Sequence, residues 1–380
     1  MKLALLLFLS YILTGCGGEV DNSAPPAQLV EFKETLSLEQ LSEISYGASD
    51  SQYTRIKPLV LDKEIVFSDS KGNVTVFDKN DFSIRWQKTY TADFTSAIGG
   101  NSALYLLGTR SGEVISIEPA SGEINWRVTL SSEVLTAPVM SGNTVIVKTV
   151  DGQLTSLNAK TGKQQWTYQR AVPALSVRGN SIPYIFQDKV MTGLDNGKLV
   201  ILNIDTGVLF WEKTITIPRG RSEVERLVDL DVDLIVTNNI AYVAGFQGRV
   251  VALDLKTGGF LWAKKMSVTR NMTFENNKLY ITDDNSHVWS LDATTGATNW
   301  KQSEFSHRKL TSPTIMGDNL LLADAQGYLH VISKADGHQI VRTQVDSSGL
   351  DVQPLVMNDK IYLQSKKSVI YVYGLGQLAL

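Results

Sequence analysis

Asp151-Gly152-Gln153-Leu154-Thr155-Ser156-Leu157, continuing through Lys160-Thr161-Gly162-Lys163 to Trp166, reads as a tight turn, an alternating strand, a glycine turn and a second strand. Gly162 falls where a short turn asks for positive φ, and the second strand carries an indole. The unit is a β-hairpin, and it recurs. Trp86, Trp126, Trp166, Trp211, Trp262 and Trp300 each stand fourteen residues after Gly72, Gly112, Gly152, Gly197, Gly248 and Ser286. Ser121-Gly122, Thr161-Gly162, Thr206-Gly207, Thr257-Gly258 and Thr295-Gly296 each precede their tryptophan by four residues, whereas the first repeat has Asp81-Phe82 in that place.

Two further units lack the tryptophan. One runs from Gly327 through Leu329-His330-Val331-Ile332 and Asp336-Gly337 to Val341, and the other from Lys367 through Val369-Ile370-Tyr371-Val372-Tyr373. Ahead of each hairpin stand two more short strands, as at residues 135–140 and 144–150, so each unit holds four. Four antiparallel strands at a period of about forty residues describe a propeller blade. The expected fold is therefore all-β, an eight-bladed propeller of four-stranded antiparallel blades. The eighth unit stops after its third strand, and residues 41–46 have the length and apolar spacing to supply the fourth from the N-terminal side. Counted from Leu41 to Gly374, 334 residues give about 42 per blade. A large aromatic once per blade packs between neighbouring sheets, adding roughly 1.5–3 kcal/mol at each joint.

With 36 Lys+Arg against 39 Asp+Glu and a net charge of -3 in 380 residues, the chain has no basic footprint for nucleic acid. A single cysteine allows no disulfide within the chain. That cysteine follows a charged start and the apolar run 3–13, the pattern of an export signal over residues 1–15. Leu13-Thr14-Gly15-Cys16 resembles the lipobox of bacterial lipoproteins, which implies cleavage before Cys16 and acylation of that cysteine with palmitate-type chains. More than one chain makes attachment stable. Gly17 replaces the aspartate that commonly retains such proteins at the inner membrane, so outer-membrane anchoring toward the periplasm is expected. Residues 16–30, with Ser23-Ala24-Pro25-Pro26, read as a flexible tether, and 31–380 as the propeller.

The Thr-Gly-x-x-x-Trp repeat resembles that of quinoprotein-type propellers. Together with Arg178-Gly179-Asn180-Ser181, Glu225-Arg226-Leu227-Val228-Asp229-Leu230-Asp231, His307-Arg308-Lys309-Leu310-Thr311-Ser312-Pro313, Gly327-Tyr328-Leu329-His330 and Val345-Asp346-Ser347-Ser348-Gly349, the chain is similar to the BamB family. The resemblance implies a lipoprotein scaffold of the outer-membrane β-barrel assembly machinery that binds the POTRA region of BamA, alongside the other assembly subunits and nascent barrel proteins. Successive repeats are 40, 40, 45, 51, 38, 41 and 40 residues apart, so the two long intervals are adjacent. They place extra length near residues 172–185 and 217–239, in connections expected to lie side by side on one face. Long connections in a regular repeat are where binding is built. The resemblance implies that Leu175, Val177, Arg178, Asp229 and Asp231 contact the partner. Val177 departs from the family's leucine, which keeps the apolar character but alters the fine shape. Within the chain, Arg178 could instead pair with Asp229 or Asp231 and brace the loops.

The enzymatic alternative is a quinoprotein-like dehydrogenase or a ligand-binding propeller using the central channel. Quinone chemistry asks for calcium ligands, a catalytic aspartate and often a cysteine pair, and Cys16 is assigned to the lipid. His287, His307, His330 and His338 form no close ligand pair. Asp229-x-Asp231-x-Asp233 imitates a calcium loop, but Leu234 and Ile240 occupy the glycine and glutamate positions. Gly374-x-Gly376-x-x-Ala379 has no following helix to receive a pyrophosphate. No catalytic residue, cofactor or metal is expected.

Overall fold

The computed structural model describes residues 24–47, 56–170, 181–218, 221–222, 224–230 and 232–378. Their strands form eight four-stranded sheets, each antiparallel and, in seven of the eight, built from four consecutive strands. Blade three is typical, with Val139–Ser141 innermost, then Thr144–Lys148, Gln153–Asn158 and Gln164–Gln169 outermost. The innermost strand is three residues long, shorter than the sequence suggests, because Leu135 to Pro138 approach the channel without ladder pairing. The two middle strands are buried almost throughout because neighbouring blades cover both their faces. Leu104–Gly108 is buried at every position. Outer strands alternate with solvent, as in Ile124–Thr129. Each core cluster accordingly straddles a joint: Val66, Val74 and Val76 of blade one pack with Tyr105, Leu107 and Ile115 of blade two.

Tryptophan and glycine are two halves of one device. In each tryptophan-bearing blade, the third and outer strands slip register by one residue beside the indole, as between Ser156 and Leu157 opposite Trp166. That bulge turns the ring out of its own sheet and toward the next. The Trp86, Trp126, Trp166, Trp262 and Trp300 Nε1 atoms then donate to the carbonyls of Pro119, Ala159, Ile204, Ala293 and Lys334, at 2.7–3.0 Å. The ring meanwhile lies on the next blade's turn glycine. Gly162 has φ +70, and a Cβ there would stand 2.7 Å from Trp126. Glycine is needed for its dihedral and for the space.

Phe82 accounts for the irregular first repeat. It takes the glycine's place with φ 60, on the joint where blade eight offers no tryptophan. Its ring stacks on Tyr362 of that blade, 4.8 Å between centroids and 22° between planes. The aromatic comes from the opposite side of the joint.

Leu36–Ser45 closes the ring as the outer strand of blade eight, pairing antiparallel with Val369–Gln377 from Leu36↔Gln377 to Ser45↔Val369. The role expected of residues 41–46 is therefore correct, but the strand begins five residues earlier. A bulge between Gln40 and Ser42 interrupts its alternation and hides that start. In the eighth unit the positive-φ turn residue is Ser368, φ 59, rather than Lys367.

Candidate functional site

Because strands alternate in direction, all outer-to-inner connections and all second-to-third turns open on one face of the ring, here termed the loop face. The described ends of the two long connections lie there, and they touch: the Ile182 N–H donates to Asp233 Oδ1 at 2.9 Å. Asp233 also takes the Nδ2 of Asn271, and its own N–H donates to Asn271 Oδ1 at 3.0 Å. Lys57 Nζ stands 3.8 Å from Asp233 Oδ2. Lys57 leads into blade one and Asp233 into blade five, opposite each other in an eight-membered ring, so this pair crosses the channel mouth. Below the first connection, buried Lys148 donates to the Gly193 carbonyl at 3.0 Å and to Ser181 Oγ at 3.4 Å. It ties blade three to the base of that connection.

Cys16, Leu175, Val177, Arg178 and Asp231 lie outside the described residues. Asp229 is described, and it does not stand open on the loop surface as a residue of a long connection would be expected to. It is 1% exposed. Its carbonyl accepts the Phe246 N–H at 2.8 Å, pinning it beneath a turn of blade five. The reason is that the second connection folds back between blades on either side of it: Leu230 and Leu234 are buried in the joint between blades four and five, and Val232 in the joint between blades five and six. Leu230 enters where Gly193 lacks a side chain, since a Cβ there would be 2.5 Å from that of Leu230.

Among the polar residues that the second connection exposes stand two apolar side chains. Ile217 is 59% and Val224 61% exposed, and Val208 and Phe210, just before and within the outer strand Leu209–Thr214 of blade four, are likewise open. Val224 stands in a fixed turn: Glu225 Oε2 accepts the N–H groups of Arg221 and Ser222, while Ser222 Oγ accepts that of Glu225. The Arg221 and Ser222 amides hold the Glu225 carboxyl below its ordinary range. An apolar residue in a polar connection is the signal in the sequence that marks Ile217 and Val224.

A second polar cluster lies on the loop face at blade seven, within the His307 and Gly327 motifs. The buried Asp324 carboxylate accepts Arg308 Nε at 2.7 Å, His330 Nε2 at 2.8 Å, and the amides of Gln326 and Tyr328 at 2.9 Å. Burial raises the Asp324 carboxyl, but His330, the Tyr328 amide and Arg308 outweigh it and leave it lowered. Burial also lowers the His330 imidazole despite Asp324 beside it. The cluster is thus a carboxylate, a neutral imidazole and a guanidinium. Arg308 Nη1 donates to the Ala27 carbonyl at 2.9 Å, and the Ala27 N–H donates to the Ser306 carbonyl at 2.8 Å. The segment expected to be free up to Val30 is thus already attached at Ala27. Among the described residues, no three His, Cys, Asp or Glu side chains gather to hold a metal ion.

The family model described as outer membrane protein assembly factor BamB matches residues 70–302. A protein of that name from Legionella pneumophila is 34% identical over 97% of this chain and 98% of its own length. One from Yersinia pestis is 30% identical over 87% of each. The crystal structure of BamB from Moraxella catarrhalis is similar with a TM-score of 0.80 at 26% identity, covering 89% of this chain and all of that one. A europium-containing methanol dehydrogenase, TM-score 0.73 and 12% identical over 89% of this chain and 93% of its own, shares the fold alone. The matched residues run across blades one to six and the similarity to the Legionella and Moraxella proteins over nearly the whole ring, so the chain belongs to the BamB family of outer membrane protein assembly factors.

Proposed function

We propose that the protein is a non-enzymatic scaffold, held at the outer membrane by an acylated Cys16 and facing the periplasm, that binds BamA through its POTRA region. In this reading it supports folding and insertion of outer-membrane proteins together with the other assembly subunits. The observation that carries it is the meeting of the two overlong connections at Ile182 and Asp233 on the loop face. Leu175, Val177, Arg178 and Asp231 would contact the partner, with Ile217 and Val224 supplying apolar area. Asp229, being buried, serves by fixing the second connection. The test is recovery of BamA from detergent-solubilised envelopes beside thermal stability. Arg178→Glu should cost about 2 kcal/mol or more of binding, at least tenfold in affinity, with the melting temperature close to the parent's. Charge reversal at Lys160, on the opposite face, should change neither. Full recovery of BamA by a folded Arg178→Glu protein would overturn the assignment.

A further inference from the structure

Residues 27–35 form a strap down the outside of blade seven. Ala27 is fixed at the loop face by Ser306 and Arg308. Arg342 of the outer strand then donates Nη1 to the Val30 carbonyl at 3.1 Å, covers the Phe32 ring at 5.3 Å and gives its N–H to Glu34 Oε1 at 3.3 Å. The Thr35 N–H ends the run on the Ile340 carbonyl at 3.0 Å. Ile340 lies near the start of its strand, on the face opposite the loops. From there Leu36–Ser45 climbs blade eight. The chain therefore enters the propeller at the loop face and descends before the ring begins. The anchor point is firm, because Arg308 is itself 4% exposed and held by buried Asp324.

We propose that this strap orients the molecule, turning the loop face toward the lipid surface in which the acyl chains sit. The inference rests on the reading of Cys16 as acylated. Eleven residues lead from Cys16 to Ala27, reaching ~40 Å at full extension. Were the strap free, twenty residues would lead to Leu36, reaching ~70 Å, and they would leave from the opposite face. Docking of the strap thus shortens the leash and decides which face it pulls.

The test uses the acylated full-length protein in vesicles of phosphatidylethanolamine and phosphatidylglycerol that carry a headgroup energy acceptor. A donor dye is placed at Lys367→Cys on the loop face or at Ala335→Cys on the opposite face, both exposed. Transfer should be greater from the Lys367 position. Combining Ala27→Pro with Arg342→Ala releases the strap without touching a core residue, and it should erase the difference while the melting temperature holds. Equal transfer from both positions in the parent, with acylation of Cys16 verified by mass, would overturn the proposal alone. Absence of acyl mass on Cys16 would overturn the anchor reading and the proposal with it. A difference that persists in the released variant would show that something other than the strap sets the orientation, and would also overturn it.

Discussion

Gly162 and Gly142 offer a matched pair for measuring the joint between blades. Both belong to blade three, at φ +70 and φ +56, but a Cβ on Gly162 would meet the Trp126 ring at 2.7 Å while one on Gly142 meets nothing within 4 Å. Alanine at Gly142 therefore costs the left-handed backbone alone, about 1 kcal/mol. Alanine at Gly162 costs the same strain and also displaces the indole. The Trp126 hydrogen bond to Ala159, 2.8 Å long, is worth about 0.5–1.5 kcal/mol, and lost ring packing is of similar size, giving about 2–4 kcal/mol in all. Urea unfolding of the two variants reads the difference directly at constant m. In a Trp126→Ala background the cost of Gly162→Ala should shrink to that of Gly142→Ala, because the ring that obstructs the methyl is gone. Equal costs for the two glycines in the parent would refute the claim that the tryptophan and glycine repeats are one contact.

Two more expectations follow from the clusters and the closure. Asp324 and His330 both have folded pKa values below their unfolded ones, so the unfolded chain takes up more protons in acid. The His330 contribution is complete above about pH 6.5 and is lost below it, whereas that of Asp324 fades only below about pH 4. The melting temperature should fall from pH 7 to pH 5, and His330→Gln should flatten that slope; an unchanged slope would exclude His330 as its source. Truncation to residue 24 should leave the melting temperature near the parent's, whereas truncation through Tyr46 removes the closing strand and a side chain 2% exposed, leaving an open edge. Equal midpoints for the two would contradict closure by this strand.

The blades were legible because the device that joins them is written twice in each repeat, once as tryptophan and once as glycine. Phe82 was visible as an exception, but its reason lies across the ring seam at Tyr362, and only closure brings residues so far apart in sequence together. The same holds for the strap. Ala27 and Arg308 are 281 residues apart, and Pro25-Pro26 beside small residues reads as linker by composition. Asp229 misled for another reason. A charged residue between Val228 and Leu230 in a long connection reads as surface, and nothing local reveals that the connection doubles back between two blades. At Ser368 the loss of the turn glycine left the register uncertain by one residue.

The closing strand also governs the order in which the molecule assembles. Ser37 meets Gln377 across 340 residues, and gathering the ends of so long a loop costs about 5 kcal/mol of chain entropy. Every other strand finds its sheet partner in a neighbouring hairpin, so blades one to seven form from local contacts while Leu36–Ser45 waits. Folding should end with a slow, late step that belongs to this sheet. Until then the strand is an unpaired edge that emerges before its partner. Glu39 and Glu43, exposed along it, place charge where a stray strand would otherwise add.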